Sequence, residues 1–534
     1  MNLPTEKVIE ELSRPEAYPY PVDKVEIVQT HISIVFLAGD RVYKVKKPVD
    51  FGFLDFTTLE KRRKFCHEEL RLNRRLSPGM YLKVVAVTQG PVGLRFGDID
   101  LTDEIESTPE TALDYAVVME RLDEEMMLSE LLARGEADAG LIVSIARRIA
   151  EFHQKSETSP YITRIGGTRA VKFNTEEDFQ QIESYIGQTL DSFTYERIAD
   201  FTRTFMEVNT SLFASREEEG WIRDGHGDLH TQHICLGEII QIFDCIEFNE
   251  RLRFGDVLAD AAFLAMDLER LGFTELAERY SEAYLVNMGQ EDQTPLFNFY
   301  CCYRAVVRGK VEGFRSSDSN ITEDDAASAR ESARTFHRLA EKYARAVLPP
   351  TMILGCGLMG SGKTTLAAGL TELLDIEILS SDRIRKELAG VEPTNRRRVP
   401  FCADIYSREY TDLTYSMMHE RALDSLKRGQ SLFLDASYME PGMRFRAAET
   451  ARKAGARFLI FYLKADEDTL RSRLQAREGQ IGTISDGREE ILSDQAAAFV
   501  EPYEFPKGTV LSLDASTPTD ESVRTAYCRL LLSN

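Results

Sequence analysis

Gly357-Leu358-Met359-Gly360-Ser361-Gly362-Lys363-Thr364 has the residue types and spacing that hold the phosphates of a nucleotide. The glycines let backbone N–H groups close on phosphate oxygens, and a helix N-terminus behind them adds positive potential. Gly357, Gly360, Ser361, Gly362, Lys363, Thr364 and Thr365 are the candidate phosphate-contacting residues. Among them Lys363 would reach the outer phosphates and the Thr364 hydroxyl would hold Mg²⁺. Leu432-Phe433-Leu434-Asp435 is an apolar run ending in an acid, which makes Asp435 a second candidate for Mg²⁺. Asp382, at the end of another apolar run, could accept the proton of an attacking hydroxyl; the competing reading is a helix N-cap. Arg385, three residues on, could grip a substrate phosphate. Arg473 and Arg477 are four apart and share a helix face, either as lid arginines over the transferring phosphate or as a solvated basic surface.

A second constellation lies upstream. Asp224-Gly225-His226-Gly227-Asp228-Leu229-His230 reads as a loop with an exposed acid, and Ile239–Phe243 as a strand delivering Asp244. Two carboxylates so spaced suit phosphoryl transfer, Asp228 deprotonating or orienting a hydroxyl and Asp244 holding Mg²⁺. His226 and His230 are expected to hold the loop, with zinc binding by the three histidines as the alternative. Lys44 and Lys46 sit two apart on one strand face, so either could contact nucleotide phosphates. Glu68 or Glu69, on the helical stretch Cys66–Leu76, could pair with that lysine.

The elements that must position these groups follow from periodicity. Met352–Cys356 reads as a buried strand before the glycine loop, and Thr365–Leu374 as a helix after it. Later strands are expected at Glu377–Ser381, Ser431–Leu434, Arg457–Leu463 and Thr509–Leu513, alternating with helices, which predicts an α/β parallel sheet. In such a sheet strand C-termini line the ligand crevice. Pro349-Pro350 marks the boundary, after a polar helical stretch, Glu323–Val347, expected to be solvated. Upstream, Val25–Val28, Ile34–Leu37 and Arg41–Lys46 read as strands. Tyr115–Leu122 reads as a strand entering a hinge, and Leu141–His153 as an amphipathic helix with Ile145, Ile149 and Phe152 inward. The expected domains are 1–348, with a small lobe to about 120 and a larger one from about 121, and 349–534.

Residues 351–534 resemble the P-loop kinases related to polynucleotide kinase, zeta toxin and gluconate kinase. That resemblance implies their sheet order, Asp382 as general base, Arg385 as substrate clamp and Arg473 and Arg477 as lid. Residues 20–340 resemble the aminoglycoside phosphotransferase and choline kinase branch of the protein-kinase-like fold. This implies an α+β two-lobed domain with ATP between the lobes, Asp228 as catalytic Asp, Asp244 as metal Asp, and Met119, Glu120 and Leu122 in the hinge near adenine. The two-part layout looks like bacterial proteins in which such a domain is fused to a P-loop kinase. In two places the sequence departs from this branch. His233 stands where the branch has an Asn ligand for a second Mg²⁺, and Thr30-His31-Ile32-Ser33 replaces a glycine-rich loop, leaving backbone amides or Ser33 to cover phosphates. His233 is the candidate metal ligand at that position, and both departures bear on activity more than on fold.

Bulk composition narrows the classes. The 534 residues are 43% hydrophobic and 29% charged, as in globular proteins of several domains. No apolar run approaches the ~20 residues of a membrane helix. Met1–Pro15 is polar and lacks the apolar core of a signal peptide, and the eight cysteines are scattered, so the expected location is the cytoplasm. A net charge of −23 repels phosphate backbones and makes extended nucleic acid a poor partner. The short basic run Asn395–Arg398 reads as a surface loop or as a phosphate-binding edge, and Gln480–Asp486 as a lid segment. The expected activity is ATP-dependent transfer to a hydroxyl of a small molecule. The alternatives are a 5′-hydroxyl kinase acting on RNA or DNA ends and a nucleotide-sensing regulator with an N-terminal pseudokinase.

Overall fold

A computed structural model of the chain describes residues 3–102, 111–318, 321–392, 404–477 and 489–532, the side chains of Asp404 and Arg477 excepted. The chain divides into two compact units, Met1–Leu190 with Ser211–Leu339, and Asp191–Thr210 with Ala340–Asn534. Among the described residues no helix is long and apolar enough to cross a membrane.

The first unit begins with a six-stranded antiparallel sheet in the order Val25–Gln29, Ser33–Ala38, Arg41–Lys46, Ala112–Glu120, Tyr81–Gly90, Gly93–Phe96. Period-2 alternation gives the sheet two apolar faces. Ile34, Phe36, Tyr43, Val45, Ala116 and Val118 pack under the first helix, Thr5–Leu12. Val42, Tyr115, Val117 and Met119 face the other way and meet Cys66 and Leu70 of the helix Leu59–Asn73. Lys44 and Lys46 share the parity of Val42, so alternation turns both lysines towards that helix. The helix starts where Thr58 Oγ1 accepts a hydrogen bond from Lys61 N (3.2 Å). The rest of the unit is mainly helical, with two short hairpins. Ile222–Asp224 pairs with Phe254–Asp256, and Ile234–Leu236 with Ile240–Ile242. At its centre runs Val257–Arg270, buried from Val257 to Leu268. A small antiparallel sheet, a helix packed on it and a large helical part carrying a loop between short hairpins make a two-lobed protein-kinase-like fold.

The second unit is built on a five-stranded parallel sheet in the order Ile376–Ser380, Ser431–Asp435, Thr351–Cys356, Arg457–Lys464, Val510–Asp514. The first strand in sequence is central, and all its residues are buried. That is the α/β P-loop NTPase arrangement, and it explains why the three inner strands read as apolar runs. The helix Ser192–Val208 also belongs to this unit. Asp191 caps it by accepting from Thr194 N (2.9 Å). It packs on Thr519–Leu531 of the same unit, where Arg524 Nη1 donates to both oxygens of Asp200 (2.7 and 2.6 Å) and Asn209 Nδ2 to Leu531 O (2.9 Å). Nothing in linear patterning points to this pairing. Glu323–Arg345 is not the fully solvated helix expected: Ala329, Ala333, Phe336, His337 and Ala340 form a buried stripe along it.

Candidate functional site

In the second unit the strand Thr351–Cys356 runs into the glycine loop and the helix Lys363–Leu373 follows. Gly357 has φ 139°, and a Cβ there would lie 2.5 Å from Leu463 O, so only glycine fits. Lys363 Nζ donates to Gly357 O (2.9 Å) and Leu358 O (2.8 Å), folding the side chain over its own loop. Thr364 and Thr365 are exposed on the first helical turn, and Thr364 Oγ1 donates to Asp435 Oδ2 (2.8 Å). The two residues assigned to Mg²⁺ from sequence therefore meet, and both present hard oxygens. Met359 N donates to Gln495 Oε1 (2.8 Å), a support that sequence reasoning did not find.

Asp382 lies half-buried in the first turn of Ser381–Leu388. The N-cap position is Ser380, so Asp382 is not the cap residue. Arg385 is 5% exposed, and its Nη1 donates to Ile405 O (2.7 Å) and Thr411 Oγ1 (3.1 Å). In this geometry Arg385 Nη1 anchors the Ile405 segment. Leu470 and Leu474 pack with Leu358, Met359 and Leu492, fixing the helix Glu467–Arg477 against the glycine loop. Arg473 thereby reaches the loop: a Cβ on Gly362 would lie 3.9 Å from its Nη1, while its Nη2 donates to Ala515 O. The side chain of Arg477, the run Asn395–Arg398 and the segment Gln480–Asp486 lie outside the described residues.

In the first unit both lysines converge on Glu69, which is 0% exposed. Lys44 Nζ lies 2.8 Å from its Oε1 and Lys46 Nζ 2.7 Å from its Oε2. Lys44 also donates to Asp244 Oδ1 (2.6 Å), which makes it the lysine that faces the acid pair. Lys46 is 1% exposed and bonds instead to Glu247, a residue that sequence reasoning missed. Burial raises the Glu69 carboxyl, but Lys44 and Lys46 outweigh it and leave the pKa below normal. Glu247 has its pKa raised, because burial outweighs Lys46. Glu68 pairs elsewhere, with Arg71 (2.6 Å). Met119 is buried in the sheet, Glu120 N closes on Met80 O (2.9 Å), and the strand ends at Glu120, ahead of half-buried Leu122. Ser33 is fully buried, so it does not cover phosphates as the sequence suggested.

The loop bearing Asp228 is held from the central helix. Asp260 accepts from His226 N (2.6 Å) and Gly227 N (2.9 Å), and Asp267 accepts from Thr231 N (3.1 Å) and its hydroxyl (2.7 Å). Sequence reasoning missed both acids. Their signal was present, two Asp seven apart in an otherwise apolar helical run. His226 holds the loop, as expected: Nε2 donates to Phe243 O (2.9 Å), and burial lowers its pKa to about 4. Burial pushes the Asp228 carboxyl up, but His230 and His233 overcome it and hold the pKa far below the ordinary range. Asp244 behaves alike, burial being outweighed first by Lys44. Asp244 has φ 62°, a left-handed conformation that marks a constrained position. His233 links the two segments, with Nδ1 2.9 Å from the main-chain carbonyl oxygen of Asp228 and Nε2 3.5 Å from Asp244 Oδ2. Asp228, Asp244, Lys44, Glu69 and His233 are thus brought together.

Fold and site together define a chain with a protein-kinase-like unit and a P-loop kinase-type unit. The family described as AAA domain matches residues 352–502. Over 505 residues the chain is 32% identical to the uncharacterized protein Rv2004c of Mycobacterium tuberculosis (strain ATCC 25618 / H37Rv), covering 94% of this chain and 95% of that protein. The chain belongs to the family of that mycobacterial protein. Among solved structures, the GDP complex of aminoglycoside 2′-phosphotransferase-IIIa is 14% identical with a TM-score of 0.39, covering 62% of this chain and 97% of its own. A gluconokinase from Sinorhizobium meliloti 1021 is 18% identical with a TM-score of 0.26, covering 34% and 92%.

Proposed function

We propose that the chain is a cytoplasmic ATP-dependent phosphotransferase with two nucleotide-binding modules, each passing a γ-phosphate to a hydroxyl. The observation that carries this reading is the 2.8 Å contact of Thr364 with Asp435 beside Lys363. In the second unit Lys363 leaves its loop carbonyls for the phosphates, and Thr364 and Asp435 hold Mg²⁺. Asp382 takes the acceptor proton, and Arg473 serves developing charge. In the first unit Lys44, steadied by Glu69, meets the phosphates, Asp228 orients the acceptor hydroxyl and Asp244 holds the cation. Bound Mg²⁺ would supply neutralisation of phosphate charge. The acceptor is a small molecule, since the net charge of −23 opposes a polynucleotide.

Incubation of the full chain with γ-labelled ATP and a panel of hydroxyl compounds, a 5′-OH oligonucleotide included, tests this. Label should appear on a small acceptor, and Lys363→Ala should remove at least one labelled product. Labelling of the oligonucleotide alone would establish the end-kinase reading instead. Nucleotide binding without any transfer would favour a sensor.

A further inference from the structure

Two ring nitrogens in the Asp228 loop have their protons fixed by what they touch. His230 Nδ1 accepts from Gln232 N (3.3 Å), so its Nε2 carries the hydrogen and points it at Asp228 Oδ2, 3.5 Å away. His230 is thereby a donor that positions Asp228. His233 is the reverse. Its Nδ1 lies 2.9 Å from the carbonyl oxygen of Asp228, which can only accept, so Nδ1 carries the hydrogen. Nε2 of the neutral ring is then a bare lone pair, and it faces Asp244 Oδ2 at 3.5 Å. Two acceptors facing each other at that range repel unless a proton or a metal cation lies between them, and the test below tells the two apart. A ring N–H given to a backbone carbonyl is also how metal-bound histidines are held. Lys44 neutralises the other oxygen, Oδ1, and leaves Oδ2 turned to the ring.

We propose that His233 Nε2 and Asp244 Oδ2 form a mixed nitrogen–oxygen cation site that prefers a divalent first-row transition ion to Mg²⁺. Magnesium binds oxygen donors and gives up its waters reluctantly, whereas imidazole suits the transition ions. Asp228, His230 and His233 also have ligand atoms within 4.8 Å of one another. The tautomers assign the ion to the side of Asp244 and not to that triplet. The proposal refines the reading of Asp244 as the cation ligand of the first unit. It concerns which ion binds, and the test below involves no turnover.

Mn²⁺ added to the full chain without nucleotide, followed by pulsed EPR, reads the ligand directly. Bound Mn²⁺ should show coupling to an imidazole ¹⁴N in the wild type and in His230→Gln, and none in His233→Asn. Thr364 and Asp435 offer only oxygens, so the nitrogen signal reports the first unit. Loss of even an outer partner of a metal ligand costs about 10–100-fold in affinity, so His233→Asn should lower the Mn²⁺-over-Mg²⁺ preference by about tenfold or more. Asp244→Asn keeps the ring and should weaken the nitrogen-coupled ion as well, which covers the case of a His233 variant that does not fold. Nitrogen coupling that survives His233→Asn, bound Mn²⁺ without nitrogen coupling in the wild type, or an unchanged preference would overturn the proposal. Any of these would leave the phosphotransferase reading standing. A nitrogen-coupled ion in a chain that transfers no phosphate would overturn that reading alone.

Discussion

Replacing Glu69 by Gln should destabilise the first unit far more than replacing Glu247 by Gln, although both carboxylates touch Lys46. Glu69 is fully buried between two ammonium groups, at 2.8 Å from Lys44 and 2.7 Å from Lys46. Gln keeps the shape but turns an uncharged amide on both. Removing one partner of a buried ion pair costs about 3–5 kcal/mol. Glu247 has its pKa raised, so its charge is a net cost in the fold, and Gln there should cost under about 1 kcal/mol. The pH dependence separates the two further. The Glu69 pKa is lowered, so its stabilisation is complete above its unfolded pKa and is lost only as pH falls through the folded value. Its penalty should therefore be nearly the same at about pH 7 and about pH 5. Glu247 is easier to protonate folded than unfolded, so its contribution improves as pH falls. Glu247→Gln should thus look less favourable, relative to wild type, at the lower pH. Trp221 is the sole tryptophan and lies in the first unit, so its fluorescence in urea reports that unit alone. With an m-value of about 3 kcal/mol/M, Glu69→Gln should move the midpoint down by about 1–1.7 M. Equal midpoints for the two variants, or a Glu69→Gln cost below about 1 kcal/mol, would refute the reasoning.

Gly357→Ala forces a Cβ to 2.5 Å from Leu463 O at φ 139°, and strain of about 1–3 kcal/mol should weaken ATP binding in the second unit, read by calorimetry. Unchanged affinity would show that the loop can yield there. Asp382→Asn should lower transfer by about 10²-fold or more while leaving nucleotide affinity close to wild type; matched losses in both would make Asp382 structural. Asp260→Asn leaves the N–H of His226 or Gly227 facing an amide, and should cost about 1–3 kcal/mol in the Trp221 transition. No shift of the midpoint would show that the loop is held by other means.

The second unit was the more legible in sequence because its information is local. The glycine loop, its strand and Asp435 each carry their meaning in a few neighbouring residues, and a buried parallel strand reads as an apolar run. In the first unit the chemistry depends on pairing across the fold. Strand parity placed Lys44 and Lys46 on one face, but only the packed helix shows that Glu69 takes both and that Lys44 alone reaches Asp244. Asp260 and Asp267 stand out as two acids in an apolar helical run, but their partners do not, because they bond backbone amides more than 30 residues away in sequence. Nothing local in Ser192–Val208 tells that its face meets Thr519–Leu531. Arg385 was read as a phosphate clamp from its distance to Asp382, whereas helical geometry turns it inward to Ile405.

The most direct test compares wild type, Lys363→Ala, Asp228→Asn and the double variant for transfer of labelled phosphate to the same acceptor panel. Each single variant should lose its own labelled product, Lys363→Ala by about 10²–10³-fold, and keep that of the other unit. The double variant should transfer none. Wild-type transfer by the double variant would contradict the account at its centre.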